Sequence, residues 1–186
     1  MDLKSGSYFS SIDPDYSINY KKEYNFASMI NSHYHDHYEL NYLLSDEHIY
    51  FVKDKVFTMK KGSIMAVNIY DLHRSISSGA YKYERIVLAF KKRFIEDILK
   101  SSPDLDLLGF FTLDHPLIKL DATQQSYVEN ILFNMINEDK SKMEGYSIYV
   151  KTLIVQLLIY LNRVHSASAN EAFEYNNPKY KKISEI

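Results

Sequence analysis

The spacing of apolar residues changes once along this chain, near residue 90, and that change limits the fold to a β half followed by an α half. Before it, short β-rich runs recur at Tyr24–Ile30, Glu39–Leu44, Ile49–Val52, Val56–Met59, Ile64–Val67 and Ile86–Phe90. Asp46, Asp54, Gly62 and Gly79 fall in the gaps, where turns need them. Many short strands at close spacing predict an antiparallel sandwich or barrel.

After residue 90 the period is helical. Arg93–Leu99 reads as a short helix within about residues 91–100, stopped by Ser101, Ser102 and Pro103, and Pro116–Leu120 as one more strand. Asp121 then stands where a helix N-cap would, and Tyr127, Ile131 and Met135 recur every four residues with Val128 and Leu132 beside them. Lys140–Gly145 breaks this helix. A second runs from about Tyr146 to Val164, with Val150, Leu153, Ile154, Leu157, Leu158 and Leu161 on one stripe that Ile148, Val155 and Ile159 widen. A helix this apolar needs cover on more than one side, which predicts the barrel on one side and a second copy of the chain on another. The six stripe residues are the expected dimer interface. Residues 165–178 read as a linker, and Lys179–Ile186 as the start of a further amphipathic helix belonging to a longer protein. The expected division is an arm over 1–20, a barrel over 21–120, a helix pair over 121–166, and a linker with the start of a further unit over 167–186.

Composition removes several alternatives. Lys and Arg number 22 against 24 Asp and Glu, so no basic field draws this chain to nucleic acid. The absence of cysteine excludes disulfides, thiolate metal sites and a cysteine nucleophile. Met1–Ser11 lacks the apolar core of a signal peptide, and the apolar stretch Thr152–Leu161 is too short to span a bilayer, so a cytoplasmic location is expected, with no membrane partner. The 17 tyrosines and 10 phenylalanines suit half-buried strands and pocket walls; drift in genome composition explains them equally well.

The chemistry-bearing residues gather in His33-x-His35-x-x-x-Glu39, followed by Gly62 and His73. On a strand, residues two apart share a face, so His33 and His35 present two imidazoles together, and Glu39 has the same parity. His73 completes a set of three nitrogens and one oxygen that suits a divalent zinc, iron, manganese or nickel ion. A histidine-lined pocket without metal, and a structural role, are the competing readings. His37, in the predicted turn, reads as solvent-facing, and His48, His115 and His165 have no partner at useful spacing.

This constellation resembles the cupin motifs, with departures. Asp46 stands where the first motif has a glycine, and Ile69 and Leu72 stand where the second would carry prolines. Three stretches sharpen the likeness to the sensing domain of AraC-type transcription regulators: residues 33–44, residues 59–68 with His73 and Arg74 following, and residues 87–94. The helices around 149–163 are similar to that family's dimerisation region, and the likeness runs in order over roughly residues 20 to 186. It implies a mostly β, cupin-like (jelly-roll type) antiparallel barrel followed by a C-terminal helix pair. It also implies a small-molecule effector, a homodimer, no catalysis and no required cofactor. DNA would be contacted only through a double helix-turn-helix of about a hundred residues following this chain.

Inward parity then selects the effector pocket: Asn31 and Met29 back from His33, Asn41 and Leu43 on from Glu39, Ser75 beyond His73, and, by likeness to the family's pocket strand, Arg85 and Val87, alongside His33, His35, Glu39 and His73 themselves. An inward Arg85 needs an anionic or polar ligand, or an acid such as Glu39. A carbohydrate effector is preferred by family analogy, and the N-terminal arm over residues 1–20 reads either as a lid over the pocket or as disordered chain, disorder being the preferred reading for residues 1–6. The alternative function is a metal-dependent cupin enzyme using the site of three histidines and Glu39.

Overall fold

The computed structural model describes residues 8–9, 15–25, 27–79 and 82–176. Among them, nine strands form two antiparallel sheets. The larger holds β1 (Tyr8–Phe9), β2 (Tyr16–Tyr24), β8 (Lys82–Phe90), β3 (Tyr38–Leu43), β6 (Ser63–Val67) and β9 (Leu117–Lys119), in that order. The smaller holds β5 (Lys55–Lys60), β4 (Glu47–Val52) and β7 (His73–Ile76). This is the mostly β, cupin-like barrel with trailing helices that the resemblance implies.

Residues of alternating parity on the central strands enter two different cores. Leu43, Met65, Val67 and Tyr83 of the larger sheet meet Tyr50, Val52 and Met59 of the smaller, filling the barrel. The opposite parity, including Leu40, Tyr42, Ile64, Ile86, Leu88 and Phe90, faces outward onto the helices. β3 is therefore buried on both faces: Tyr38, Leu40 and Tyr42 face the helices, and Glu39, Asn41 and Leu43 have the opposite parity. Gly62 sits between β5 and β6 at φ +79°, a backbone conformation that favours glycine, and a β-carbon there would have to displace the end of the Gln125 side chain.

A 3₁₀ turn (Lys92–Ile95) leads into α1 (Glu96–Ser101). α2 (Ala122–Ser141) begins at Asp121, whose carboxylate accepts from the Gln124 amide while the Gln124 side chain accepts from the Asp121 amide. Lys142 in the left-handed region and Gly145 at φ +80° end it, and α3 (Tyr146–Asn176) follows.

Several expectations change. Tyr24–Ile30 is not a strand: β2 ends at Tyr24, and Asn25 takes φ 53°. Much of the expected arm is fixed structure, because Tyr16–Tyr24 pairs along β8 and Tyr8 with Phe9 pairs onto β2. Tyr8 and Tyr16 also donate hydroxyl hydrogen bonds to buried Asp139 of α2. Residues 1–7 and 10–14 of that arm lie outside the described residues. Residues 165–176 continue α3 where a linker was expected. Ala167, Ala169, Ala172, Glu171 and Glu174 favour helix, and no glycine or proline interrupts before Pro178. The expected start of a further helix over 179–186 also lies outside the described residues.

The largest correction concerns the six residues expected at a dimer interface. Val150, Leu153, Ile154, Leu157, Leu158 and Leu161 are at most 5% exposed within one chain, packed with α2 and the outer face of the larger sheet. The barrel's second apolar face and α2 together provide the cover that sequence reasoning assigned to another subunit. The length argument changes too: Tyr146–Ser166 reaches 21 residues at a hydropathy of 1.2, enough to cross a membrane by length and composition. Its buried stripe is the core of this domain.

Candidate functional site

The histidines come together, though not by the strand geometry expected. Residues 27–35 form an extended loop, tied to β7 through a bridge between His33 and His73. The His33 amide donates to the His73 carbonyl at 3.0 Å, and the His73 amide to the His33 carbonyl at 2.9 Å. The Tyr70 amide donates to the His35 carbonyl at 2.8 Å. Ring centroids of His33 and His73 are 4.2 Å apart, and those of His35 and His73 are 4.8 Å apart.

Backbone carbonyls set the protons on two of the rings. His73 Nδ1 lies 2.8 Å from the Asp71 carbonyl, and His35 Nδ1 lies 3.0 Å from the His37 carbonyl. A carbonyl only accepts, so Nδ1 carries the hydrogen in each ring; His73 Nε2 is left with its lone pair, whereas His35 Nε2 faces Glu39 Oε2, whose charge favours the protonated imidazole and raises the His35 pKa against its burial. Both Nε2 atoms are shut from solvent; that of His35 has the Glu39 carboxylate 3.4 Å away, and that of His73 lacks a hydrogen-bond partner. His33, His35 and His73 hold ligand atoms within 4.8 Å of one another, a spacing that fits one metal ion. Glu39 falls outside this set; it groups instead with His35 and His37.

Glu39 opens the polar interior of the barrel. Its Oε1 accepts from the Tyr50 hydroxyl at 3.3 Å and from the Asn41 amide at 3.5 Å, while Oε2 lies 3.4 Å from His35 Nε2. The Tyr50 oxygen also accepts from Asn41 at 2.6 Å and from the Arg85 guanidinium at 3.2 Å. Burial disfavours the Glu39 anion, but His35, His73 and Arg85 outweigh it and bring its pKa down to about 2. Burial likewise disfavours the Arg85 cation, and Tyr50, Tyr83 and Glu39 overcome that. Arg85 and Glu39 make no direct ion pair; both bond the Tyr50 hydroxyl. Asn41 Oδ1 and Arg85 Nε remain buried without partners.

Behind this network lies a second one, which sequence reasoning missed. His48, 2% exposed, meets Ser75 Oγ through Nε2 and stacks on Tyr83 at 3.8 Å. Ser75 Oγ also lies 3.1 Å from the Tyr83 hydroxyl. The signal was parity: His48, Tyr50 and Val52 alternate along β4, as Tyr83, Arg85 and Val87 do along β8. His37 was also misjudged, since it stacks on His35 with centroids 3.7 Å apart. Of the expected pocket residues, Asn31 is exposed on the loop before His33, because parity carries no meaning where there is no strand. Val87 is half-buried, in register between Asn19 and Asn41.

Burial and the Arg85 charge hold the His48 pKa down at about 4, against 6.5 for a free imidazole. Below pH 6.5 the unfolded chain takes up a proton that folded His48 refuses, so stability falls as pH drops from 6.5 towards 4. The loss reaches about 3 kcal/mol once both states are protonated. Urea denaturation at pH 7 and pH 4.5 should show a markedly smaller acid loss in His48→Gln than in the parent chain. Equal losses in the two proteins would clear His48 of this role.

The family model for the AraC-like ligand binding domain matches residues 22–158. None of the curated protein sequences matches this chain. Among solved structures, an RmlC-like cupin family protein from Methanocaldococcus jannaschii is 15% identical at a TM-score of 0.42, over 49% of this chain and 86% of that one. A cupin 2 conserved barrel protein from Leptotrichia buccalis is 17% identical at 0.41, over 49% and 43%. Another from Salinispora arenicola is 8% identical at 0.42, over 51% and 82%.

Proposed function

Because this chain belongs to the family of AraC-like ligand-binding domains, we propose that it is the effector-sensing and dimerising part of a ligand-responsive transcription regulator. The observation that carries the reading is the barrel interior. Asn41 Oδ1, an acceptor, and Arg85 Nε, a donor, stand buried and unanswered among Glu39, Tyr50, Ser75 and Tyr83. Unpaired buried polar atoms of both kinds are costly alone and are satisfied by a ligand that both donates and accepts. A polyhydroxylated small molecule such as a carbohydrate has that character.

In this reading the chain catalyses nothing and acts in the cytoplasm. A near-neutral balance of charge leaves DNA contact to another part of the regulator. Association of two copies uses the outer surface of the helices, where Tyr127, Ile148 and Tyr149 are exposed, since the inner stripe is occupied. Effector binding would shift the arrangement of those helices, a coupling of free energy between two sites.

The test is thermal denaturation against a panel of monosaccharides and small organic acids. A true effector at a hundred times its Kd stabilises the fold by about 2.7 kcal/mol. Asn41→Ala should remove most of that gain. A ligand whose stabilisation survives Asn41→Ala binds elsewhere and refutes the barrel site.

A further inference from the structure

We propose that the end of the barrel away from the histidines binds a small phosphate ester on three lysines, Lys60, Lys61 and Lys119. The site lies outside the barrel interior, and the proposal stands independently of the effector reading.

Strand register gives the position. Lys60 ends β5 and stands opposite Glu47, the first residue of β4, whereas His73 stands opposite Val52, the last. Lys61 begins the turn into β6, and its amide donates to the Asp46 carbonyl at 3.0 Å. Lys119 ends β9, in register with Ser63. The turn is held from two sides. Ser63 Oγ accepts from the Lys60 amide at 3.1 Å, and the Gln125 side chain of α2 lies against Gly62 while donating to the Leu120 carbonyl at 2.8 Å. β5, the turn and β9 thus bring one lysine each to a single hollow of about 380 Å3, within the range of small-molecule sites.

Charge identifies the ligand. No carboxylate lines the hollow. The ion pairs among the described residues engage other lysines and none of these three. Asp46, Glu47 and Asp121 adjoin the same segments but stand outside the lining, and the Asp121 carboxylate accepts from the Gln124 amide at 2.8 Å. Like charges gathered around one hollow repel each other, and a multivalent anion turns that repulsion into attraction. Lysine meets phosphate as a point charge, so three of them suit a phosphate dianion over a single carboxylate. Leu117 and Leu120 add an apolar wall, which suits the carbon skeleton of an ester. The whole chain has 22 Lys and Arg against 24 Asp and Glu, so this local excess is not part of a broad basic face of the kind nucleic acid needs. A ligand here would tie the barrel to the start of α2.

The experiment is calorimetric titration with inorganic pyrophosphate and with glucose 6-phosphate, at low and at high salt. One molecule per chain is expected, with affinity falling as salt rises. Lys60→Gln, Lys61→Gln and Lys119→Gln should each weaken binding by about tenfold, the loss of one charge-assisted contact, and the triple variant should abolish it. All three lysines are exposed, so thermal melting should stay at the parent value. Lys100→Gln, at an exposed lysine paired with Glu96, should leave affinity unchanged. Failure of both anions to bind the parent chain, or binding undiminished in the triple variant, would overturn the proposal. Displacement of glucose 6-phosphate by unphosphorylated glucose would place that probe in the barrel interior and also overturn it. Displacement by a short DNA duplex would assign the lysines to nucleic-acid phosphates, against the small-molecule reading.

Discussion

Arg85→Met is expected to destabilise the domain by about 3 kcal/mol, and adding Glu39→Gln should return most of that loss. Arg85 is half-buried as a residue, yet its Nε is shut from solvent, and Glu39 is 8% exposed. Both ions have left most of their water behind. Removing the cation alone strands a carboxylate whose ionised form Arg85 helps to hold, along with His35 and His73. Removing both charges leaves Tyr50 and Asn41 able to bond a neutral amide. Breaking a buried pair is costly, whereas replacing it whole is close to neutral. Urea denaturation of the parent, the two single variants and the double gives the coupling directly. Additive losses would show that the network through Tyr50 does not join the two charges.

The second large effect lies in the helices. Leu157→Asp should abolish cooperative folding. Leu157 is 1% exposed inside the packing of α3 against α2 and the larger sheet, and a lone carboxylate there has no partner to compensate its burial. Leu157→Ala is milder, about 2–5 kcal/mol, because it leaves a cavity and no charge. Thr152→Asp, at an exposed position of the same helix, should change stability by no more than about 0.5 kcal/mol. Circular dichroism with thermal melting separates these outcomes. A well-folded, monomeric Leu157→Asp chain would restore the stripe to the role of a subunit interface and undo the packing described above.

The contrast between these two helix positions shows where sequence reading ends. Periodicity identified the stripe correctly as buried, because a 3.6-residue repeat of leucine and isoleucine has no other stable use. It carried no information about what buries it. The two sheet faces of β3 and β8 present different cores, and only their placement showed that the outward one lies against α3.

The histidine cluster divides in the same way. His33, His35, Glu39 and His73 were legible as a group from their types and order, and so was the β-then-α architecture. Short-range patterns are written in neighbouring residues, which a single sequence displays. Whether Glu39 joins the histidines or the Arg85 network could not be read there. That choice depends on Tyr50, which comes from β4 in the opposite sheet and reaches Glu39 across the barrel. His48 was passed over for the same reason, since its partners Ser75 and Tyr83 are 27 and 35 positions away and meet it only when the sheets close. The sequence by itself determined the β-then-α order and most of the apolar interior. The tertiary structure decided which polar groups meet, because hydrogen bonds act over about 3 Å and bring together atoms whose separation along the chain is arbitrary.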